Sequence, residues 1–185
     1  MSRIYFSAGE TSGDIHGANL IRALRRADPT VECEGLGGRL MAEAGMDLRH
    51  DLAGDAIMGF TEVVKSLGRI RRVYRDAVER FRTARPDLLV VIDYPGFNFR
   101  LARAAVTEGV PVVYYISPQV WAWKKGRIRT LARLVDRMLV ILPFEERLYA
   151  EAGVPCTYVG HPLPDHVANV PVTGAFSGDP LIGIL

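Results

Sequence analysis

Two five-residue runs, Leu-Leu-Val-Val-Ile at 88–92 and Val-Val-Tyr-Tyr-Ile at 112–116, carry no polar alternation at all. A strand with one face in water alternates, so an unbroken apolar run requires cover on both faces, the condition of a parallel strand between helical layers. Segments of helical period follow each run, at 99–107 and 127–134, and the same pairing recurs as 4–7 with 15–26 and 138–142 with 145–151. Short β-branched runs alternating with helical segments predict βαβ units. The fold class is therefore α/β, a doubly wound, mostly parallel Rossmann-like sheet. Gly45, Gly109 and Gly153 each end a helical run where a left-handed residue is wanted, and Pro111 and Pro155 follow the latter two.

The 185 residues, near half of them hydrophobic and near a quarter charged, suffice for one sizeable core. A net charge of +2 gives no reason to expect a nucleic-acid partner. Cys33 and Cys156 each sit in an apolar stretch, as free buried thiols of a reducing compartment do. No segment has the length or apolarity of a signal peptide or a membrane span, so a cytoplasmic location is expected, with any membrane contact made from the surface. The text loosens after Pro162 and tightens again at 179–185. The expected organisation is a domain over 1–167, a linker over 168–180, and at 181–185 the first strand of a second domain otherwise missing from the chain.

Five constellations carry chemistry. At 4–17 a strand runs through a Gly-rich turn, with Gly9, Glu10, Ser12 and Gly13, into a helix whose free N–H groups favour an anion. The glycine spacing matches neither the dinucleotide fingerprint nor the P-loop, and Asp14 or Ser12 could equally serve as a helix cap. At 90–98 Asp93 leaves the carboxyl end of a buried strand, the edge at which open α/β sheets bind ligands. Partial desolvation there raises a carboxyl pKa and suits Asp93 to take a proton from a sugar hydroxyl. The plainer alternative is that Asp93 accepts hydrogen bonds from the turn leading to Asn98.

At 114–126 Ser117, Gln119, Trp121 and Trp123 precede two lysines, a pairing of aromatic faces and cations that suits a sugar ring and a phosphate, although either indole could be core. At 57–75 apolar Ile57, Phe60, Val64 and Leu67 recur at helical period, with Met58 beside them and Lys65, Arg69 and Arg72 between. Such a basic amphipathic helix suits an anionic bilayer, or equally a sheet-packed helix with a solvated face. His161, at a strand end, could orient a phosphate or be structural. No Cys/His spacing or Asp-x-Asp pair suggests a metal, and no cofactor is expected.

Ser7-Ala-Gly-Glu-Thr-Ser-Gly-Asp14, Asp93-Tyr-Pro-Gly-Phe-Asn98, Ser117-Pro-Gln-Val-Trp-Ala-Trp123, Leu142-Pro-Phe-Glu145 and Val159-Gly-His-Pro162 stand in order along the chain. Together they resemble the motifs of the lipid-A-disaccharide synthase family. The resemblance implies the acceptor-side half of a GT-B glycosyltransferase, inverting and metal-independent, at the cytoplasmic side of a bacterial inner membrane. It implies a UDP-2,3-diacylglucosamine donor, held mainly by the missing domain, and a 2,3-diacylglucosamine 1-phosphate acceptor. The products would be a β-1,6-linked disaccharide and UDP. Asp93 would be the catalytic base, and Gly9, Glu10, Ser12, Gly13, Asn98, Ser117, Gln119, Trp121, Trp123 and His161 the substrate-contacting candidates. The stretch holding Ile57, Met58, Phe60, Val64, Lys65, Leu67, Arg69 and Arg72 would face the membrane. A homodimer is left open, as are two other readings: a non-catalytic acceptor- or membrane-binding module, and another GT-B or UDP-sugar epimerase-like enzyme.

Overall fold

The computed structural model describes residues 1–54, 63–118 and 126–164. Among the described residues seven strands form one wholly parallel sheet: β1 Arg3–Ala8, β2 Glu32–Gly37, β3 Asp47–Asp51, β4 Leu88–Ile92, β5 Val112–Tyr115, β6 Arg137–Val140 and β7 Cys156–Tyr158. Their order is β3-β2-β1-β4-β5-β6-β7. The chain winds outward from β1 to β3, crosses back, and winds the other way from β4. The doubly wound reading thus holds, and the winding reverses between β1 and β4.

Six helices are described: α1 Thr11–Ala27, α2 Arg39–Glu43, α3 Val63–Thr83, α4 Pro95–Thr107, α5 Gly126–Leu134 and α6 Pro143–Glu151. Successive strand side chains point to opposite faces, so each central strand feeds two cores. Phe6, Ala8, Val90 and Ile92 pack with Ala18 and Ile21 of α1 and Met41 of α2. Tyr5, Leu89 and Val91 pack on the other face with Val73, Ala77 and Phe81 of α3, Leu101 of α4 and Leu131 of α5. Leu89–Ile92 of β4 are buried on both faces and Leu88 is partly buried, which accounts for the unbroken apolar text.

The left-handed endings at Gly45, Gly109 and Gly153 are present, with φ of +100°, +75° and +75°. Sequence pattern does not foretell β2 and β3, Glu-Cys-Glu-Gly-Leu-Gly and Asp-Leu-Arg-His-Asp. Glu34 is nevertheless buried in β2, where it accepts hydrogen bonds from Arg49 Nε and Nη2 (3.1 and 3.0 Å) and Arg80 Nη2 (2.6 Å). These bonds tie α3 and β3 to the sheet and offset much of the cost of burying a carboxylate. Cys33 is a buried free thiol and Cys156 a half-buried one. Residues 165–185, which include all of the expected linker and of the expected strand at 181–185, lie outside the described residues.

β2 shifts register against β3 between Gly35 and Leu36, and Gly35 adopts φ +144° with its Cα against the β1 backbone. A Cβ there would stand 2.1 Å from the Phe6 carbonyl oxygen. Gly35→Ala is therefore expected to cost about 2–3 kcal/mol of stability, from φ strain and forced separation of β1 from β2. Equilibrium urea unfolding of the two proteins measures it.

Candidate functional site

The carboxyl ends of β1 and β4 are neighbours, with Ala8 paired to Ile92, so the residues that follow meet at the reversal of winding. After β1 come Gly9 and Glu10, and after β4 come Asp93 and Tyr94. Asp93 and Tyr94 both have left-handed backbones, φ +42° and +46°, a rare conformation for residues with side chains and here used twice in succession. The kink swings the chain off the sheet and into α4 within two residues.

What holds the kink lies beneath it. Asn98, fully buried, donates from Nδ2 to the Asp93 carbonyl at 2.8 Å and lies 3.2 Å from the Ile92 carbonyl, while its Oδ1 accepts from the Ser7 hydroxyl at 2.7 Å. The Tyr114 hydroxyl, from β5, donates to the same Asp93 carbonyl at 2.7 Å. Three strands are thereby fastened at one point. The main chain of Asp93 is thus bound from below.

The Asp93 side chain is half-buried, and its pKa is raised, first by desolvation and then by the like charge of Glu10. A hydrogen bond from the Tyr94 N–H partly opposes both. Desolvation and the Glu10 charge therefore outweigh the hydrogen bond from the turn in setting its pKa, while that bond is the one the turn-anchoring alternative expected. The Tyr94 ring covers Gly9 so closely that a Cβ on Gly9 would stand 2.2 Å from Tyr94 Cδ1. Glycine at 9 is needed for close approach, at a φ outside the left-handed region.

Glu10 and Ser12 are exposed at the start of α1, where Glu10 is the N-cap and makes no side-chain capping bond. Asp14 does not cap α1 either. Its buried carboxylate reaches across to α2 and accepts from the N–H groups of Gly38 (3.0 Å), Leu40 (3.0 Å) and Met41 (2.9 Å), capping that short helix from outside.

Two of the expected substrate contacts, Asn98 and Ser117, are buried. Asn98 is sealed from solvent and its amide is committed to Ser7 and the β4 end. Ser117 is buried and donates its hydroxyl to the buried carboxylate of Glu145. Glu145, third residue of α6, also accepts from the Leu142 N–H at 3.2 Å, and the Tyr149 hydroxyl donates to the Pro118 carbonyl at 3.3 Å. Burial pushes the Tyr149 pKa up to about 12. Helix α6 thus pins residues 117–118 as they leave β5. Gly13 is buried too, its Cα close to Ala8 where α1 packs on β1.

His161 is exposed beyond β7, its Nδ1 accepting from the Leu163 N–H at 3.1 Å. The strand it follows, β7, is at the edge of the sheet, three places from β4. Gln119, Trp121, Trp123, Ile57, Met58 and Phe60 lie outside the described residues, and Val64 and Lys65 fall in the first turn of α3. Leu67, Arg69 and Arg72 are exposed on α3. Among the described residues no cluster could hold a metal ion, and no helix is long and apolar enough to cross a membrane.

The sequence model of the lipid-A-disaccharide synthetase family matches residues 4–176. The chain belongs to that family. It is 52% identical over 160 residues to the lipid-A-disaccharide synthase of Syntrophus aciditrophicus, a match covering 86% of this chain and 42% of that protein. The corresponding figures for the Geobacter sulfurreducens lipid-A-disaccharide synthase are 51% over 165 residues, 89% and 43%. The chain therefore spans less than half the length of these relatives. In fold it is similar to the UDP-GlcNAc 2-epimerase of Neisseria meningitidis bound to UDP-GlcNAc, with TM-score 0.63 at 14% identity over 90% of this chain and 48% of that one.

Tyr94, Tyr114 and Glu145 stand in the quoted stretches but are not among the site candidates. Tyr114 sits in an apolar run, where nothing in the text separates a hydrogen-bonding phenol from core. Asp93→Asn tests the electrostatics. A carboxyl whose pKa is raised by folding leaves stability intact below its unfolded value, near 3.9, and lowers it as pH rises through the folded value. The variant is expected to melt above the parent at pH 7, the gap closing below about pH 4, as thermal unfolding across pH will read.

Proposed function

We propose that this chain provides the acceptor-side half of a glycosyltransferase that joins UDP-2,3-diacylglucosamine to 2,3-diacylglucosamine 1-phosphate through a β-1,6 linkage. Asp93 is its base. The observation that carries the reading is the half-buried Asp93 carboxyl, its pKa raised by desolvation, on a fixed kink at the reversal of winding. A base held in place gains most when the hydroxyl it serves is held too.

In this mechanism the acceptor 6-hydroxyl hydrogen-bonds to an Asp93 carboxylate oxygen. Its proton passes to Asp93 as the hydroxyl oxygen forms a bond to the donor's anomeric carbon from the face opposite the diphosphate. The bond from that carbon to the diphosphate oxygen breaks, and its electron pair departs with UDP. Configuration inverts, and the proton leaves Asp93 to solvent. Glu10, exposed beside Asp93, keeps its pKa raised, so the base is a stronger proton acceptor than a free carboxylate. The first turn of α1 offers N–H groups for an anionic part of either substrate.

Asp93→Asn is expected to lower transfer by at least about a hundredfold, the scale of general-base catalysis, in a protein of the relatives' full length. UDP release from the two substrates measures this, and wild-type turnover would remove Asp93 from the role. In the same assay Glu10→Gln should move the acid limb of kcat/KM to lower pH, because the like charge that raises the Asp93 pKa is gone.

The reading extends to a peripheral location on the cytoplasmic face of the inner membrane. It draws support from Leu67, Arg69 and Arg72, which stand exposed along α3. Anionic vesicles should retain the chain, and reversal of Lys65, Arg69 and Arg72 to glutamate should release it in a cosedimentation assay, as should raised salt. Equal retention of the reversed variant argues against this surface.

A further inference from the structure

Among the described residues three tyrosines are almost wholly buried, Tyr5, Tyr114 and Tyr149. A phenol in a core must find a partner for its hydroxyl, and phenylalanine would fill the same space without that demand. The Tyr114 ring stands in the apolar cluster under α4, its centroid 6.3 Å from that of Phe99, and its hydroxyl reaches one atom, the carbonyl oxygen of Asp93, at 2.7 Å. Asn98 Nδ2 supplies a second donor to that oxygen at 2.8 Å. Both lone pairs of the carbonyl are then occupied, one from β5 and one from α4.

A peptide unit is planar and trans, so its C=O and N–H point in opposite directions. The carbonyl of Asp93 and the N–H of Tyr94 belong to one such plane. With the carbonyl drawn into the core by Tyr114 and Asn98, the N–H faces the other way, and the group it meets is the Asp93 carboxyl. The sheet gives little help here: the Asp93 N–H nitrogen lies 3.4 Å from the Tyr115 carbonyl oxygen, and β5 itself departs at Ile116, φ +61°. Tyr94 keeps a left-handed backbone, φ +46°, which rotation of the plane would relieve. The plane is therefore held against strain, and the Tyr114 hydroxyl is one of two groups that hold it. The Tyr94 ring goes with the plane: it covers Gly9 and lines a groove of about 520 Å³ between α3 and α4, whose rim carries Arg71, Arg100 and Arg103.

We propose that Tyr114 is a positioning residue for the Asp93 base, its hydroxyl turning the 93–94 peptide so that the Tyr94 N–H meets the Asp93 carboxyl group. This deepens the Asp93 reading and rests on it for the reaction. Tyr114 does not touch substrate; it acts through one peptide plane. An N–H that meets one lone pair of the carboxylate fixes the side-chain rotamer and leaves the others for the acceptor hydroxyl. Without it the carboxyl group turns between rotamers, and fewer bound acceptors find the base aligned.

The same geometry sets the direction of a pH effect. Among the described residues the charged group that faces the Asp93 carboxyl is Glu10, from the start of α1. The phenols behind it, Tyr114 and Tyr149, are kept neutral by burial, which raises both pKa values. The Tyr94 N–H lowers the Asp93 pKa. Once the plane is released that hydrogen bond is lost while burial and Glu10 remain, so the carboxyl titrates at higher pH. Glu10→Gln moves it the opposite way.

The test is Tyr114→Phe in a protein of the relatives' full length, assayed by UDP release. The same substitution in this chain is followed by nuclear magnetic resonance of the Asp93 carboxyl carbon across pH. Expected are a kcat about tenfold lower, as the loss of one hydrogen bond dictates, and a KM within about twofold of the parent. The acid limb of kcat/KM and the Asp93 titration should both move to higher pH. Tyr114→4-aminophenylalanine restores a donor and should return rate and limb toward the parent, whereas Tyr114→4-fluorophenylalanine, of similar shape without a donor, should behave as Tyr114→Phe does.

A merely structural hydroxyl would lower the melting temperature and leave the limb in place. Parental kcat and acid limb in Tyr114→Phe overturn the proposal, as does a limb displaced to lower pH or equal behaviour of the amino and fluoro variants. The base and its positioning fail separately. If Asp93→Asn transfers normally while the Asp93 titration still moves in Tyr114→Phe, the base falls and the hold of Tyr114 on Asp93 stands. If Asp93→Asn abolishes transfer while Tyr114→Phe changes neither titration nor kcat, the positioning falls and the base stands.

Discussion

The side-chain amide of Asn98 is the point on which the site's geometry depends. It has one acceptor and two donor hydrogens, and the structure commits both ends: Oδ1 to the Ser7 hydroxyl on β1, Nδ2 to carbonyls at the end of β4. Parallel strands on either side of a winding reversal diverge beyond their last ladder bond, since their connections leave in opposite directions. A buried amide bridging them delays that divergence by one residue. That residue is Asp93, and the added bond from Tyr114 brings a third strand into the same fixture. A network of this kind is costly to satisfy partly and rigid when satisfied fully, which is what a positioned base requires.

The same constraint accounts for the burial of so many polar groups of the motifs. Asp14 caps α2, Glu145 holds Ser117 and the start of α6, and Asn98 holds the kink; none of the three is free to meet a ligand. Each instead fixes where a loop leaves the sheet. Loops carry ligand contacts, but they need a rigid base, and in this fold the base is made of carboxylates and amides turned inward.

The sheet was legible where burial is two-sided. The apolar runs of β4 and β5 and the glycine endings of α2, α4 and α6 read directly, because one physical demand fixed each residue type. β2 and β3 were not legible, since Glu34 is buried through arginines 15 and 46 residues away and only folding brings them together. Asp93 stood out because a lone carboxylate that closes an apolar strand sits where burial is costly and where open sheets meet their ligands. The burial of Asn98 and Ser117 was not legible for a related reason: a polar residue beside a site looks the same in sequence whether it faces outward or supports its neighbour. The groove between α3 and α4 was invisible as well. Its rim joins Arg71 to Arg100 and Arg103 across two helices, and in the text each is one more arginine on a solvated face.

Among the described residues four non-glycine residues have left-handed backbones, and three of them, Asp93, Tyr94 and Ile116, lie just past the carboxyl ends of β4 and β5. Each such residue costs on the order of 1 kcal/mol or more, and the ionised Asp93 adds a desolvation penalty at the same place. These costs could be shed easily by evolution: a glycine at 94 or 116 relieves the backbone, and an asparagine at 93 relieves the charge. Glycine at 94 would also remove the ring that covers Gly9 and lines the groove, and asparagine at 93 would remove the proposed base. Strain and charge therefore coincide because the side chains at those positions are needed beyond the sheet edge, and the buried amide, hydroxyl and phenol beneath them supply the rigidity that keeps the kink from relaxing.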